Sequence, residues 1–197
     1  MNTKTNNSIV GLKELREKVT RPRIIWVMLP SGDVTADILQ ELQDDVIEHG
    51  DILIDGGNAH YTDTQERYEK FEQKGIKFLG IGVSGGIHGL ENGYPIMVGG
   101  NKSAYEYMIP VLDSLVKPNG GHAYFGQGGA GHFVKMVHNG IEYGMMQSIA
   151  EGFGVLAKSD YKLNLVDVGN NWQRGSIVSS FLVYMAVSAL IKDPHLD

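Results

Sequence analysis

The chain has 197 residues, 42% hydrophobic and 20% charged, with a formal net charge of −6 and no cysteine. It is long enough for one large domain or one and a half small ones at roughly 100–200 residues per domain, and its balance excludes a disordered chain, a basic nucleic-acid footprint, disulfides, cysteine metal sites and thiol nucleophiles. With no apolar run near the roughly 18 residues of a membrane span and no signal-peptide pattern in its polar start, it reads as a cytoplasmic protein with neither membrane nor nucleic acid as partner.

In chain order, residues 1–8 are polar and read as loose. Leu12, Leu15 and Val19 have helical spacing and predict a short helix over 9–20. Arg21-Pro22 closes it, because the proline ring disfavours helix at the residue before it. Three unbroken apolar runs follow, Ile24–Leu29, Asp51–Asp55 and Ile76–Val83. Runs of this kind are strands buried on both faces, as in a parallel sheet. Helical patterns separate them. One covers 33–48, with Val34, Ile38, Leu42 and Val46 spaced by four and Asp33 or Ser31 as its cap. The other covers 61–74 and stops at Gly75. A short strand is predicted near 94–100, a helix over 103–117, and a turn at Pro118-Asn119-Gly120-Gly121. From Gly131 the pattern is helical only, over 131–158, 164–171 and 176–192. The expected fold class is therefore α/β, a partial Rossmann-type parallel sheet followed by the start of an all-α domain, with domains at 1–128 and 129–197.

The three apolar runs end in Pro30-Ser31-Gly32, Gly56-Gly57-Asn58 and Ser84-Gly85-Gly86. Ligands of open α/β sheets bind beyond the carboxyl ends of the strands, and three such ends in succession point to a site rather than to three turns. The long helix adds a second signal. Lys135, His138, Asn139 and Glu142 stand at i, i+3, i+4 and i+7, on one face, while Phe133, Val134, Met136, Val137, Ile141 and Met145 surround them. A narrow polar stripe through an apolar helix predicts a largely buried helix whose stripe lines a cleft. Lys135 and Glu142 are too far apart for the usual i,i+4 pair of a solvated face. The histidines are scattered without His-x-x-x-His spacing, so no metal site is expected.

Four motifs resemble the 6-phosphogluconate dehydrogenase family, within the wider β-hydroxyacid dehydrogenases. They are Asp55-Gly56-Gly57-Asn58, Gly82-Val83-Ser84-Gly85-Gly86, Pro95-Ile96-Met97-Val98-Gly99-Gly100 and the run from Gly129 to Gln147. The stretch Gly86–Gly93 is similar to the shorter bacterial form, many of whose members favour NAD over NADP. The resemblance implies oxidative decarboxylation of 6-phosphogluconate to ribulose 5-phosphate, with NAD or NADP as cofactor and NAD slightly favoured. By position it implies that Lys135 takes the proton from the substrate 3-hydroxyl and that Glu142 protonates the enol carbon after carbon dioxide leaves. Lys135 must then start neutral, which burial away from water favours. Asn58, Ser84, Gly85, Gly86, His138, Asn139 and Tyr143 match substrate-binding positions. Leu29, Pro30 and Ser31, with Asn58, match the nicotinamide side of the cofactor site. A homo-oligomer, dimer or higher, is expected.

Set against the family pattern, the chain is expected to be truncated at both ends. The glycine-rich phosphate turn and the later substrate-phosphate ligands fall outside it, Trp172-Gln173-Arg174-Gly175 departs from Trp-Asn-x-Gly, and Ser179 stands where an arginine is common. The alternative readings are another β-hydroxyacid dehydrogenase, of the 3-hydroxyisobutyrate type, and a non-catalytic assembly module.

Overall fold

Strand and helix alternate from Ile24 to Gly126, and helix alone follows. The computed structural model describes residues 11–194. The polar arm 1–8 and the start of the predicted 9–20 helix lie outside them. The chain divides into two compact units, the first ending at Val137 and the second beginning at His138.

The first unit begins with helix α1 (Lys13–Lys18) and strand β1 (Ile24–Val27). Helix α2 (Asp33–Asp45), strand β2 (Ile52–Asp55), helix α3 (Tyr61–Glu72) and strand β3 (Lys77–Val83) follow. Neither predicted side chain caps α2. Gly32 occupies the cap with φ of 102°, a backbone conformation that neither Asp33 nor Ser31 adopts cheaply. A turn of 3-10 helix, a one-turn helix α4 (Gly89–Asn92), strand β4 (Pro95–Gly100), helix α5 (Lys102–Leu115) and strand β5 (Gly121–Gly126) complete the sheet.

The sheet order is β1-β2-β3-β4-β5. β1, β2 and β3 are parallel; β4 lies antiparallel to β3, and β5 is parallel to β4. The reversal at β4 has a local cause. The stretch from Ser84 to Tyr94 holds only two short helical turns and no crossover helix of the kind that returns a chain parallel. Strand β5 was not predicted, because the turn residues before it and its glycine ends mask a short edge strand. Its half-buried side, His122 and Tyr124, packs on Tyr105 of α5.

Alternation along the strands divides the core into two layers. Ile52, Ile54, Leu79, Ile81, Ile96 and Val98 face α5 and pack with Ala104, Met108 and Leu112. Leu53 and Phe78 face the other way, onto Leu39 and Leu42 of α2 and Phe71 of α3. On that second face β3 continues from Phe78 with glycine at 80 and 82, which leaves a channel for another helix.

That helix is α6 (Ala130–Ala157), whose first turns belong to the first unit. A Cβ at Gly131 would lie 2.5 Å from the Gly80 carbonyl oxygen and 2.5 Å from the Gly99 nitrogen, so only glycine admits this contact of helix backbone with strand backbone.

The second unit holds the rest of α6, helix α7 (Leu165–Trp172) and helix α8 (Phe181–Lys192). The Asn164 side chain accepts the Val166 and Asp167 amides and starts α7. The helix predicted over 176–192 begins instead at Phe181. Ser180 caps it by accepting the Val183 amide, and Gly175, with φ of 82°, interrupts the chain before it. Phe153 of α6 is buried and packs on Trp172, ring centroids 5.5 Å apart.

Candidate active site

Because β1, β2 and β3 run parallel, their carboxyl ends line one edge of the sheet. After β1 the chain passes through Leu29, Pro30 and Ser31. Thr35, buried at the start of α2, donates its hydroxyl to the Pro30 carbonyl at 2.7 Å and holds this loop. Leu29 is half-buried, and Pro30 and Ser31 are exposed.

After β2, the buried Asp55 carboxylate organises the turn that carries Asn58. It accepts the Gly57 amide at 3.2 Å and Nη1 of Arg67, from α3, at 2.8 Å. A Cβ at Gly57 would lie 2.5 Å from the Leu29 carbonyl oxygen, so the β1 and β2 loops touch through a glycine backbone. Asn58 itself is exposed. After β3, the Ser84 amide donates to the Pro95 carbonyl at 2.9 Å. Gly85 and Gly86 then turn with φ of 107° and 51°, values that turn the backbone sharply at the strand tip.

Lys135 is 7% exposed and lies on the channel of β3: a Cβ added at Gly82 would overlap its Cβ. One turn earlier on α6, His132 is 1% exposed over Gly80, with Nδ1 2.7 Å from the hydroxyl of the buried Thr64. Burial pushes the His132 imidazole below its ordinary value. The Asp55 carboxylate and the backbone at Ile81 and Gly57 oppose the shift, and the Arg67 guanidinium adds to it.

The rest of the stripe belongs to the second unit. His138 Nδ1 lies 3.1 Å from Asn139 Oδ1 and 3.7 Å from Glu142 Oε2. These three residues are half-buried and Tyr143 is 69% exposed. His132, Lys135 and Phe153 are buried, but most of α6 is not, and the expectation of a largely buried helix fails. Met136, Val137, Ile141, Met145 and Met146 are exposed, more so than the stripe between them, since no described element covers those flanks.

Sequence reasoning missed His132, Thr64, Asp55 and Arg67. Glycines inside an apolar strand, Gly80 and Gly82, were the signal available, since they mark close approach by another backbone. Gly-x-Gly-x-x-Gly spacing, read from the sequence as absent, occurs at Gly80–Gly85 and again at Gly126–Gly131. Neither stretch is an open phosphate cradle. Gly80 and Gly82 lie under α6, and a Cβ at Gly128 or Gly129 would strike Gln65 or the Tyr61 carbonyl. The Gly129 amide already donates to Gln65 Oε1 at 3.1 Å.

Residues 1–126 match the NAD binding domain of 6-phosphogluconate dehydrogenase, and residues 131–196 match the C-terminal domain of the same enzyme. The chain belongs to the 6-phosphogluconate dehydrogenase family. The decarboxylating, NAD(+)-dependent 6-phosphogluconate dehydrogenase of Haloferax volcanii is 38% identical over 91% of this chain and 58% of its own length. Among solved structures, the Plasmodium falciparum 6-phosphogluconate dehydrogenase, described with NADP+ and with 6-phosphogluconate, superposes with a TM-score of 0.82. It is 34% identical, over 91% of this chain and 39% of its own. The Mycobacterium tuberculosis 3-hydroxyisobutyrate dehydrogenase reaches 0.68 at 25% identity, over 82% of this chain and 53% of its own. The chain thus spans between about two fifths and three fifths of the length of the 6-phosphogluconate dehydrogenases it matches.

Proposed function

We propose that this 6-phosphogluconate dehydrogenase-family chain takes part in the oxidative decarboxylation of 6-phosphogluconate to ribulose 5-phosphate. In this reading 1–128 is its cofactor-binding part and 129–197 its catalytic and assembly part. The observation that carries the reading is the burial of Lys135 on a glycine channel that leads to the Ser84–Gly86 strand tip.

The cofactor is NAD or NADP, with NAD slightly favoured, and when bound it supplies the acceptor for the hydride of the substrate. The residues present suit its nicotinamide end: Met28 is exposed beside half-buried Leu29, Pro30 and Ser31 are open, and the glycine-backed turn presents the Asn58 amide. Lys135 removes the proton of the substrate 3-hydroxyl as the alcohol is oxidised. As an ammonium it then polarises the new carbonyl while carbon dioxide leaves, and Glu142 protonates the resulting enol carbon. The base step thus falls to an amine and the acid step to a carboxylic acid, a division of roles between two groups. Ser84, Gly85, Gly86, His138, Asn139 and Tyr143 hold the sugar acid, with backbone amides at 85 and 86 turned towards its carboxylate.

The exposed flanks of α6, among them Ile141, Met145 and Met146, support assembly into a homo-oligomer. Among the described residues no helix is long and apolar enough to cross a membrane.

The test is formation of NADH or NADPH on addition of 6-phosphogluconate, beside a panel that includes 3-hydroxyisobutyrate. Turnover with 6-phosphogluconate that Lys135→Ala abolishes is the expected result. Full activity in that variant, or preference for 3-hydroxyisobutyrate, overturns the assignment.

A further inference from the structure

The first turn of α6 buries a histidine to which the chemistry above gives no role. The His132 ring lies over Gly80, where a Cβ would approach Nδ1 to 3.3 Å, and Lys135 lies one helical turn further along, over Gly82. The two side chains share one face of one helix and one glycine channel, so any shift of α6 along β3 moves both. The ring is tied sideways to another element. Thr64, fully buried on α3, meets His132 Nδ1 at 2.7 Å, and its hydroxyl also lies 3.2 Å from the His60 carbonyl oxygen. Helix α3 starts directly after the Asn58 turn and carries Arg67, which grips Asp55 within that turn. His132 Nε2 is buried with no hydrogen-bond partner among the described residues. An apolar side chain of similar size would fill the space without leaving a polar atom unpaired.

We propose that His132 is a positioning residue: through its bond to Thr64 it sets the depth of α6 on β3 and thereby places Lys135 relative to the Asn58 turn. The charged groups facing the ring are Asp55 of β2 and Arg67 of α3. Its role as an aid to turnover rests on the function proposed above, but the placement of Lys135 does not.

The test uses the full chain with its lysines reductively methylated with carbon-13, the Lys135 resonance being assigned by its loss in Lys135→Arg. Thr64→Val removes the hydroxyl at nearly constant volume, and Thr64→Ser restores it. His132→Leu and His132→Asn form the matching pair, Asn keeping a polar group near Nδ1. The expected result is a displaced Lys135 titration in the Val and Leu variants and a near-native one in the Ser and Asn variants. The Val and Leu variants should also lose roughly tenfold to a hundredfold in kcat, with KM for 6-phosphogluconate changed by less than about twofold. If His132→Leu does not fold, the Thr64 pair carries the test. An unchanged Lys135 titration in folded Thr64→Val overturns the proposal. A displaced titration in a chain whose native form shows no turnover leaves the placement standing and defeats the functional reading instead.

Discussion

Gly82 lies directly beneath Lys135. A methyl group at position 82 would overlap Lys135 Cβ, lie 2.9 Å from its Cγ and reach 3.4 Å from the Gly131 carbonyl oxygen. The atoms it meets are near the helix backbone and cannot swing aside, so Gly82→Ala must lift α6 from β3. Overpacking of this kind costs about 1–3 kcal/mol. The expected outcome is a lower urea midpoint together with a fall in kcat larger than the stability loss explains, measured by denaturation and steady-state kinetics on the same preparation. Unchanged kinetics would detach Lys135 from the chemistry.

The Asp55–Arg67 pair predicts an asymmetric mutational response. Asp55 is 1% exposed and has one charged partner at 2.8 Å. Arg67→Ala leaves a buried carboxylate without its cation, at a cost of about 3–5 kcal/mol. The paired change Asp55→Asn with Arg67→Met removes both charges and should recover most of that loss. Chemical denaturation of the three variants checks the order.

A second buried pair governs acid stability. Burial raises the Asp51 carboxyl, but the backbone amides of Arg23 and Glu48, and then the Arg23 guanidinium, outweigh it and hold the group below its ordinary value. Arg23 Nη1 lies 2.9 Å away. Because the folded-state value is the lower one, the contribution of Asp51 is whole above the unfolded value of about 3.9. It is lost as the pH falls from there through the folded value. Asp51→Asn should therefore lower stability at neutral pH and flatten the acid limb below about pH 4, read from urea midpoints across that range.

His132 acts in a higher pH window and with the same sign. Burial holds its imidazole below the ordinary value, so as the pH falls the unfolded chain takes up the proton first. Its contribution is whole above the unfolded value of about 6.5 and is lost as the pH drops from there towards the folded value. Native chain should lose stability between about pH 7 and about pH 5. His132→Asn should lose less over that interval, and an equal loss in both would show that another group titrates there.

Much of this molecule could be read without coordinates. Apolar runs marked β1 to β3, helical spacing marked α2, α3, α5 and α6, and the glycine-rich strand ends marked the edge where Asn58, Ser84, Gly85 and Gly86 stand. These signals are local, because alternation, helical periodicity and turn chemistry depend on neighbours a few residues apart. The order of the polar stripe on α6 was legible for the same reason.

Only the tertiary structure decided what depends on residues far apart in the chain. It set β4 antiparallel, added β5 as an edge strand, sank Lys135 and His132 onto Gly80 and Gly82, and left the apolar flanks of α6 exposed. The bond between Thr64 and His132 joins positions 68 residues apart. Its existence depends on where two helices pack against one strand, and no periodicity in the sequence encodes that distance. Residue type and spacing placed a lysine on α6, and packing of helix on glycine removed it from water.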